Sequence, residues 1–120
     1  MASVLIVDDD PVVLKLLGGV VESAGHEVAV AAEGQEALRL AGARRFDLAV
    51  LDYQLPGATG LQLLKELRVA HPALHGIISS GVISPALGEQ IAAADAVSLE
   101  KPYRMAALLE LIRRLTAAPR

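Results

Sequence analysis

Cysteine and tryptophan are both absent from this 120-residue chain. Without thiols there can be no disulfide and no thiolate metal site. Aromatic residues are scarce: Phe46, Tyr53 and Tyr103 are the whole set, which leaves no stacking platform for bases. Eleven basic residues stand against 14 acidic ones, for a net charge of -3, and the basic ones form no stripe suited to a phosphate backbone. Nucleic acid is therefore not expected as a direct partner. Long hydrophobic runs are missing too; each breaks well short of a membrane span, so no membrane association is expected. The start, Met1-Ala2-Ser3-Val4, enters a strand-like segment without a basic leader or a small-residue cleavage site, which points to the cytoplasm.

What is present reads as a folded globule. Hydrophobic residues make up 53% of the chain and charged ones 21%, and the length suits one domain spanning residues 1–120. Residues 3–7 are continuously apolar and β-branched, as expected of a buried strand. Asp10-Pro11 then reads as an N-cap followed by proline at the first helical position, opening a helix to about Ala24 with Gly25 as its stop. Gly18-Gly19 lies inside that helix and weakens it unless something packs closely there. A second strand is expected over 26–31, a helix over about 35–43, and a third strand over 46–51 that delivers Asp52 to a Pro/Gly-rich loop. Gly60 opens the next helix and His71-Pro72 ends it. A strand over 74–80, a short helix over about 85–94 behind Ser84-Pro85, a strand over 96–100 and a final helix from Tyr103 to about Ala117 complete the chain. Strands alternating with helices predict an α/β fold: a five-stranded parallel sheet, doubly wound, with five helices on its two faces.

In such a sheet reactive groups gather at the carboxyl ends of the strands. Here those ends carry Asp8 and Asp9, Asp52, Ser80 and Lys101. Three clustered carboxylates repel one another and require counter-charge; Lys101 supplies one and a hard divalent cation such as Mg²⁺ would supply the rest. An ionised aspartate beside Mg²⁺ and an ammonium can attack a phosphoryl group, and a nearby hydroxyl can hydrogen-bond the product. His26, His71 and His75 lack ligand spacing and read as surface or packing residues. Arg113-Arg114 reads as a complement to the dipole of the last helix.

From end to end the chain resembles the receiver domain of two-component response regulators. The resemblance rests on five features in order: Asp8-Asp9 after the first strand, Asp52, Pro56 and Gly60 four and eight residues later, Ser80-Gly81, and Lys101-Pro102. It implies a flavodoxin-like strand order 2-1-3-4-5. It implies Asp52 as phosphoacceptor, Asp8 and Asp9 as metal-site acids together with Asp52 and the Gln54 backbone carbonyl, Ser80 as the switch hydroxyl, Lys101 as the phosphate partner, and a cis peptide at Lys101-Pro102. The implied function is a signalling switch rather than an enzyme. Asp52 takes a phosphoryl group from a histidine kinase or histidine phosphotransfer protein in a Mg²⁺-dependent reaction, and output passes to a downstream protein or through a homodimer.

The chain also departs from the family's pattern. Ser98 stands where a rotating aromatic is frequent, three positions before the lysine, so coupling through a swinging ring is not expected. Ala94-Asp95-Ala96 replaces the usual Gly-Ala, and the segment from Ser80 to Lys101 is about one residue short, so an abbreviated fourth helix is expected. Thr59 replaces a frequent aspartate before the glycine, which should affect only a helix cap. Three other readings remain at this point. One is a receiver-fold adaptor that works without phosphorylation, and another is a receiver domain cut from a hybrid kinase or larger regulator. The third is a flavodoxin-like mononucleotide binder, which acids after the first strand disfavour because they repel phosphate.

Overall fold

The computed structural model describes residues 1–117, so the last three residues of the predicted domain, 118–120, lie outside the described residues. Along the chain run β1 (Ser3–Val7), α1 (Pro11–Ser23), β2 (Glu27–Ala31), α2 (Gly34–Ala43), β3 (Leu48–Asp52), β4 (Gln54–Leu55), β5 (Ala58–Thr59), α3 (Gly60–Ala70), β6 (His75–Ser80), α4 (Pro85–Ala93), β7 (Val97–Glu100) and α5 (Met105–Ala117). The main sheet is ordered β2-β1-β3-β6-β7 with every pairing parallel. With the small β4–β5 hairpin set aside, this is the expected 2-1-3-4-5.

Alternation along each strand divides the core in two. Val4, Ile6, Leu48, Val50 and Ile77 face α1 and α5, where Leu14, Leu17, Val21, Leu108 and Ile112 meet them. Leu5, Val7, Leu51 and Ile78 face α2, α3 and α4, against Ala37, Leu63, Leu64, Leu67, Leu87 and Ile91. Burying each such aliphatic side chain contributes about 1.5–3 kcal/mol, which is why strands with apolar residues on both faces end up in the middle of the sheet.

Local signals set the helix ends. The Asp10 carboxylate accepts hydrogen bonds from the Val12 and Val13 N–H groups at 2.9 and 3.4 Å, with Pro11 at the first position. Thr59 and Gln62 form a reciprocal capping box at the start of α3, and the Ser84 hydroxyl caps α4 by accepting from the Leu87 N–H at 3.1 Å. Gly18 does not break α1, and it faces β2, where a Cβ would lie in ordinary contact, 3.4 Å from a Val30 methyl.

Several boundaries differ from the sequence reading. The third strand begins at Leu48, not at residue 46, and includes Asp52. Phe46 is buried instead as a plug of the α2–α3 core, with the Arg44 guanidinium 4.9 Å above its ring, and the Asp47 carboxylate accepts from the Ser3 N–H at 2.8 Å. The last helix begins at Met105, two residues later than expected. The loop after Asp52 folds back as the β4–β5 hairpin, turning at Gly57, whose φ of +81° suits glycine. α4 is short, as expected, at nine residues. His26 accepts from the Ala2 N–H at 3.1 Å and His71 pairs with the Ala41 carbonyl at 2.6 Å, both packing roles. Arg114 lies in the last turn of α5, whereas Arg113 is engaged with Glu110 at 2.6 Å on the exposed surface.

Candidate functional site

β1 ends at Val7 and presents Asp8 next. The Asp8 N–H still donates to the Ala31 carbonyl of β2 at 3.2 Å, and one carboxylate oxygen accepts from the Asp10 N–H at 2.9 Å. Asp8 is thereby held almost fully buried, while Asp9 is exposed. Asp52 closes β3, and its backbone is fixed from behind by Gly60. A Cβ on Gly60 would fall 2.5 Å from the Asp52 carbonyl oxygen, and the Gly60 N–H donates to the Tyr53 carbonyl at 2.7 Å. Glycine eight residues after Asp52 is thus a requirement of close approach. Lys101 follows β7, and its N–H donates to the Ser80 carbonyl at 2.8 Å, tying two strand ends together. The Lys101-Pro102 bond is cis.

Side chains converge at this edge. Lys101 Nζ lies 3.4 Å from Asp52 Oδ1 and 3.7 Å from Asp8 Oδ2. One oxygen each of Asp8, Asp9 and Asp52 lies within 4.8 Å of the others. Three negative charges therefore face one ammonium. Burial pushes the Asp8 carboxyl above its ordinary range, the Asp10 N–H opposes that rise, and the charge of Asp52 adds to it against the pull of Lys101. Tyr103 belongs to the same field: burial first, then the charges of Asp8 and Asp52, raises its phenol. A cluster of hard carboxylate oxygens short of positive charge is a donor set that suits Mg²⁺.

The remaining predicted residues sit at the same edge but in other arrangements. Ser80 is buried at the end of β6 and its hydroxyl donates to the Val82 carbonyl at 3.1 Å, so it currently closes its own loop. The neighbouring Ser79 pairs with Asp52 in the β3–β6 register. Gln54 is exposed and opens the hairpin. Ser98 is exposed on edge strand β7, opposite Ile78 in register and so on the α4 face. Sequence reasoning did not single out Tyr103; a tyrosine two residues beyond the site lysine was the available signal.

The chain matches the response regulator receiver domain family over residues 4–113. It is 36% identical to a response regulator receiver protein of Anaeromyxobacter sp., a match covering 92% of this chain and 47% of the relative. It is 33% identical to the transcriptional regulatory protein CpxR of Klebsiella pneumoniae, over 96% of this chain and 49% of that one. The chain thus spans about half the length of these relatives. Among solved structures, the chemotaxis protein CheY4 of Vibrio cholerae superposes with a TM-score of 0.89 at 31% identity, covering 96% of this chain and 98% of that one. A CheY-like receiver domain from Methanospirillum hungatei gives 0.89 at 31%, with 98% and 95% covered. The chain belongs to the response regulator receiver domain family, whose general function is that of a phosphorylation switch in two-component signalling.

Proposed function

We propose that Asp52 is the phosphoacceptor of this switch, supplied by a phosphohistidine on a kinase or phosphotransfer protein. The observation that carries the reading is the placement of Lys101 Nζ between Asp52 Oδ1 and Asp8 Oδ2, with Asp9 beside them. A carboxylate oxygen of Asp52 attacks phosphorus, the bond from phosphorus to the donor nitrogen breaks, and the imidazole leaves with its electron pair. Lys101 offsets the charge on the transferred oxygens. Asp8, Asp9, Asp52 and the Gln54 carbonyl would hold Mg²⁺, which when bound adds further positive charge to those oxygens. Ser80 then exchanges the Val82 carbonyl for a phosphoryl oxygen as acceptor, and that exchange opens the loop leading into α4. The pre-existing equilibrium of this region shifts, and a downstream protein or a second copy reads the change. The setting proposed for this chemistry is the cytoplasm.

Intact-mass measurement after incubation with acetyl phosphate and Mg²⁺ tests the assignment. The expected result is a gain of one phosphoryl group that requires Mg²⁺ and is absent from Asp52→Asn; an unmodified protein would overturn it.

Exposed Ser98 favours a second reading, in which the fold serves as a phosphorylation-independent adaptor, because no ring on β7 can report the state of Asp52 to α4. Partner affinity indifferent to Asp52→Ala and to phosphoryl analogues would establish that reading instead.

A further inference from the structure

The two ends of α4 are held very differently. At its C-terminal end Ala94 caps the helix, and the Asp95 N–H donates to the Ala92 carbonyl at 3.0 Å while the Ala96 N–H donates to the Ile91 carbonyl at 3.1 Å. This double closure normally places glycine in the left-handed position, but here Asp95 takes it, with φ of +54°. The guanidinium of Arg68, reaching across from α3, secures the turn from outside. It donates to the carbonyls of Ala94 and Asp95, the latter at 2.9 Å, and to the Leu74 carbonyl ahead of β6 at 2.9 Å. Three carbonyls from two connecting segments converge on one planar fork, a pattern that the point charge of lysine cannot reproduce. At the N-terminal end the Ser84 hydroxyl is the only side-chain cap, and it follows Gly81 and exposed Val82. Between α3 and α4 lies an apolar groove of about 400 Å³, lined by Leu61, Leu64, Lys65, Gln90 and Ala94, with the Arg68 stem along it. The core-facing anchors of the helix are Leu87 and Ile91 alone.

We propose that Arg68 is a positioning residue that fixes the C-terminal end of α4, so that this helix moves by swinging its N-terminal end about the Arg68 clamp. The groove borders the clamped half of the helix, at Gln90 and Ala94, and takes no part in the swing. Ser98, small and exposed, does not fill the underside of the helix, so geometric control passes to the clamp. Only the trigger rests on the switch reading; the hinge is a property of the unmodified protein.

Residue-resolved amide hydrogen exchange on the unmodified full chain tests the hinge. The amides of Ala94, Asp95 and Ala96 should exchange about tenfold or more slowly than those of Leu87 and Gly88, because opening starts at the end that has no guanidinium clamp. In Arg68→Met that order should collapse, with the C-terminal amides losing their protection and the Leu87 and Gly88 amides nearly unchanged. Arg68→Lys should give the same asymmetric loss in milder form. Equal protection at the two ends of α4 in the native chain, or a uniform loss along the helix in both variants, would overturn the proposal. Addition of beryllium fluoride with Mg²⁺ separates the two claims. A response around Asp52 and Val82 that leaves Ala94–Ala96 unchanged supports both. A response that extends equally to Ala94–Ala96 overturns the hinge. Silence around Asp52 counts against the phosphoacceptor reading, and the native exchange order then decides the hinge.

Discussion

Asp8 is the residue on which the electrostatics of the site turn. Its carboxyl is raised above the ordinary value of 3.8 chiefly by burial, so between 3.8 and its folded value the native state holds a proton that the unfolded chain has released. In that window metal-free stability falls as pH rises, and the loss persists at neutral pH. Asp8→Asn is expected to raise the melting temperature of the metal-free protein at pH 7 and to leave it nearly unchanged at pH 3. Mg²⁺ at a hundredfold excess over its Kd should stabilise the native chain by about 2.7 kcal/mol, and Asp8→Asn should remove most of that gain, which calorimetry with and without Mg²⁺ measures. Val82 makes a separate prediction. It lies two residues beyond Ser80, is 77% exposed and cannot orient water, so self-dephosphorylation should be slow. Substituting a polar residue should shorten the phosphoryl half-life followed by intact mass, and an unchanged half-life would count against this role.

The starts of α1, α3 and α4 were the most legible features, because each is announced by chemistry that acts within a few residues, whereas α2 has no side-chain cap and α5 starts two residues later than expected. Asp10-Pro11 and Ser84-Pro85 both cap where they were expected to, and Thr59 caps α3 through a reciprocal box with Gln62. The β4–β5 hairpin was not legible, since strands of two residues carry no periodicity. Phe46 misled for the opposite reason: it stands one residue ahead of the apolar run that begins at Leu48, in strand-like alternation with Asp47, yet it fills the α2–α3 core. The Arg68 clamp was invisible because its partners are backbone carbonyls of residues 74, 94 and 95, which every residue type offers. Gly60 combines legible and hidden parts. Its spacing from Asp52 was evident, but the reason for it, an approach too close for any side chain, is tertiary. Gly60→Ala should destabilise the fold by roughly 1–3 kcal/mol through overpacking against the Asp52 backbone. It should also slow acetyl-phosphate labelling, because the strand end that moves carries Asp52, the proposed acceptor; urea unfolding and intact mass report the two effects.

Over the whole molecule, the sheet separates two apolar clusters and the site lies at their shared upper edge, where no helix covers the strand ends. Beside it α1 exposes Val12 and Leu16, 73% and 54% accessible, which is apolar surface adjacent to the acidic cluster. A phosphodonor protein approaching Asp52 would cover that surface. The double variant Val12→Glu and Leu16→Glu should leave labelling by acetyl phosphate and thermal stability close to native, yet slow transfer from a phosphorylated protein donor by about tenfold or more. Four strand ends and their spacing were enough to locate this edge in the sequence, whereas what faces it could be seen only once the helices were in place. Tyr53 follows Asp52 directly, and Tyr103 sits within the electric field of Asp8 and Asp52. With no tryptophan in the chain, these two rings supply all of its tyrosine fluorescence. The molecule therefore carries a built-in optical reporter of its own charge state: cation binding at the acids should lower the alkaline midpoint at which Tyr103 becomes tyrosinate, and the occupancy of the site can be followed by light with no label attached.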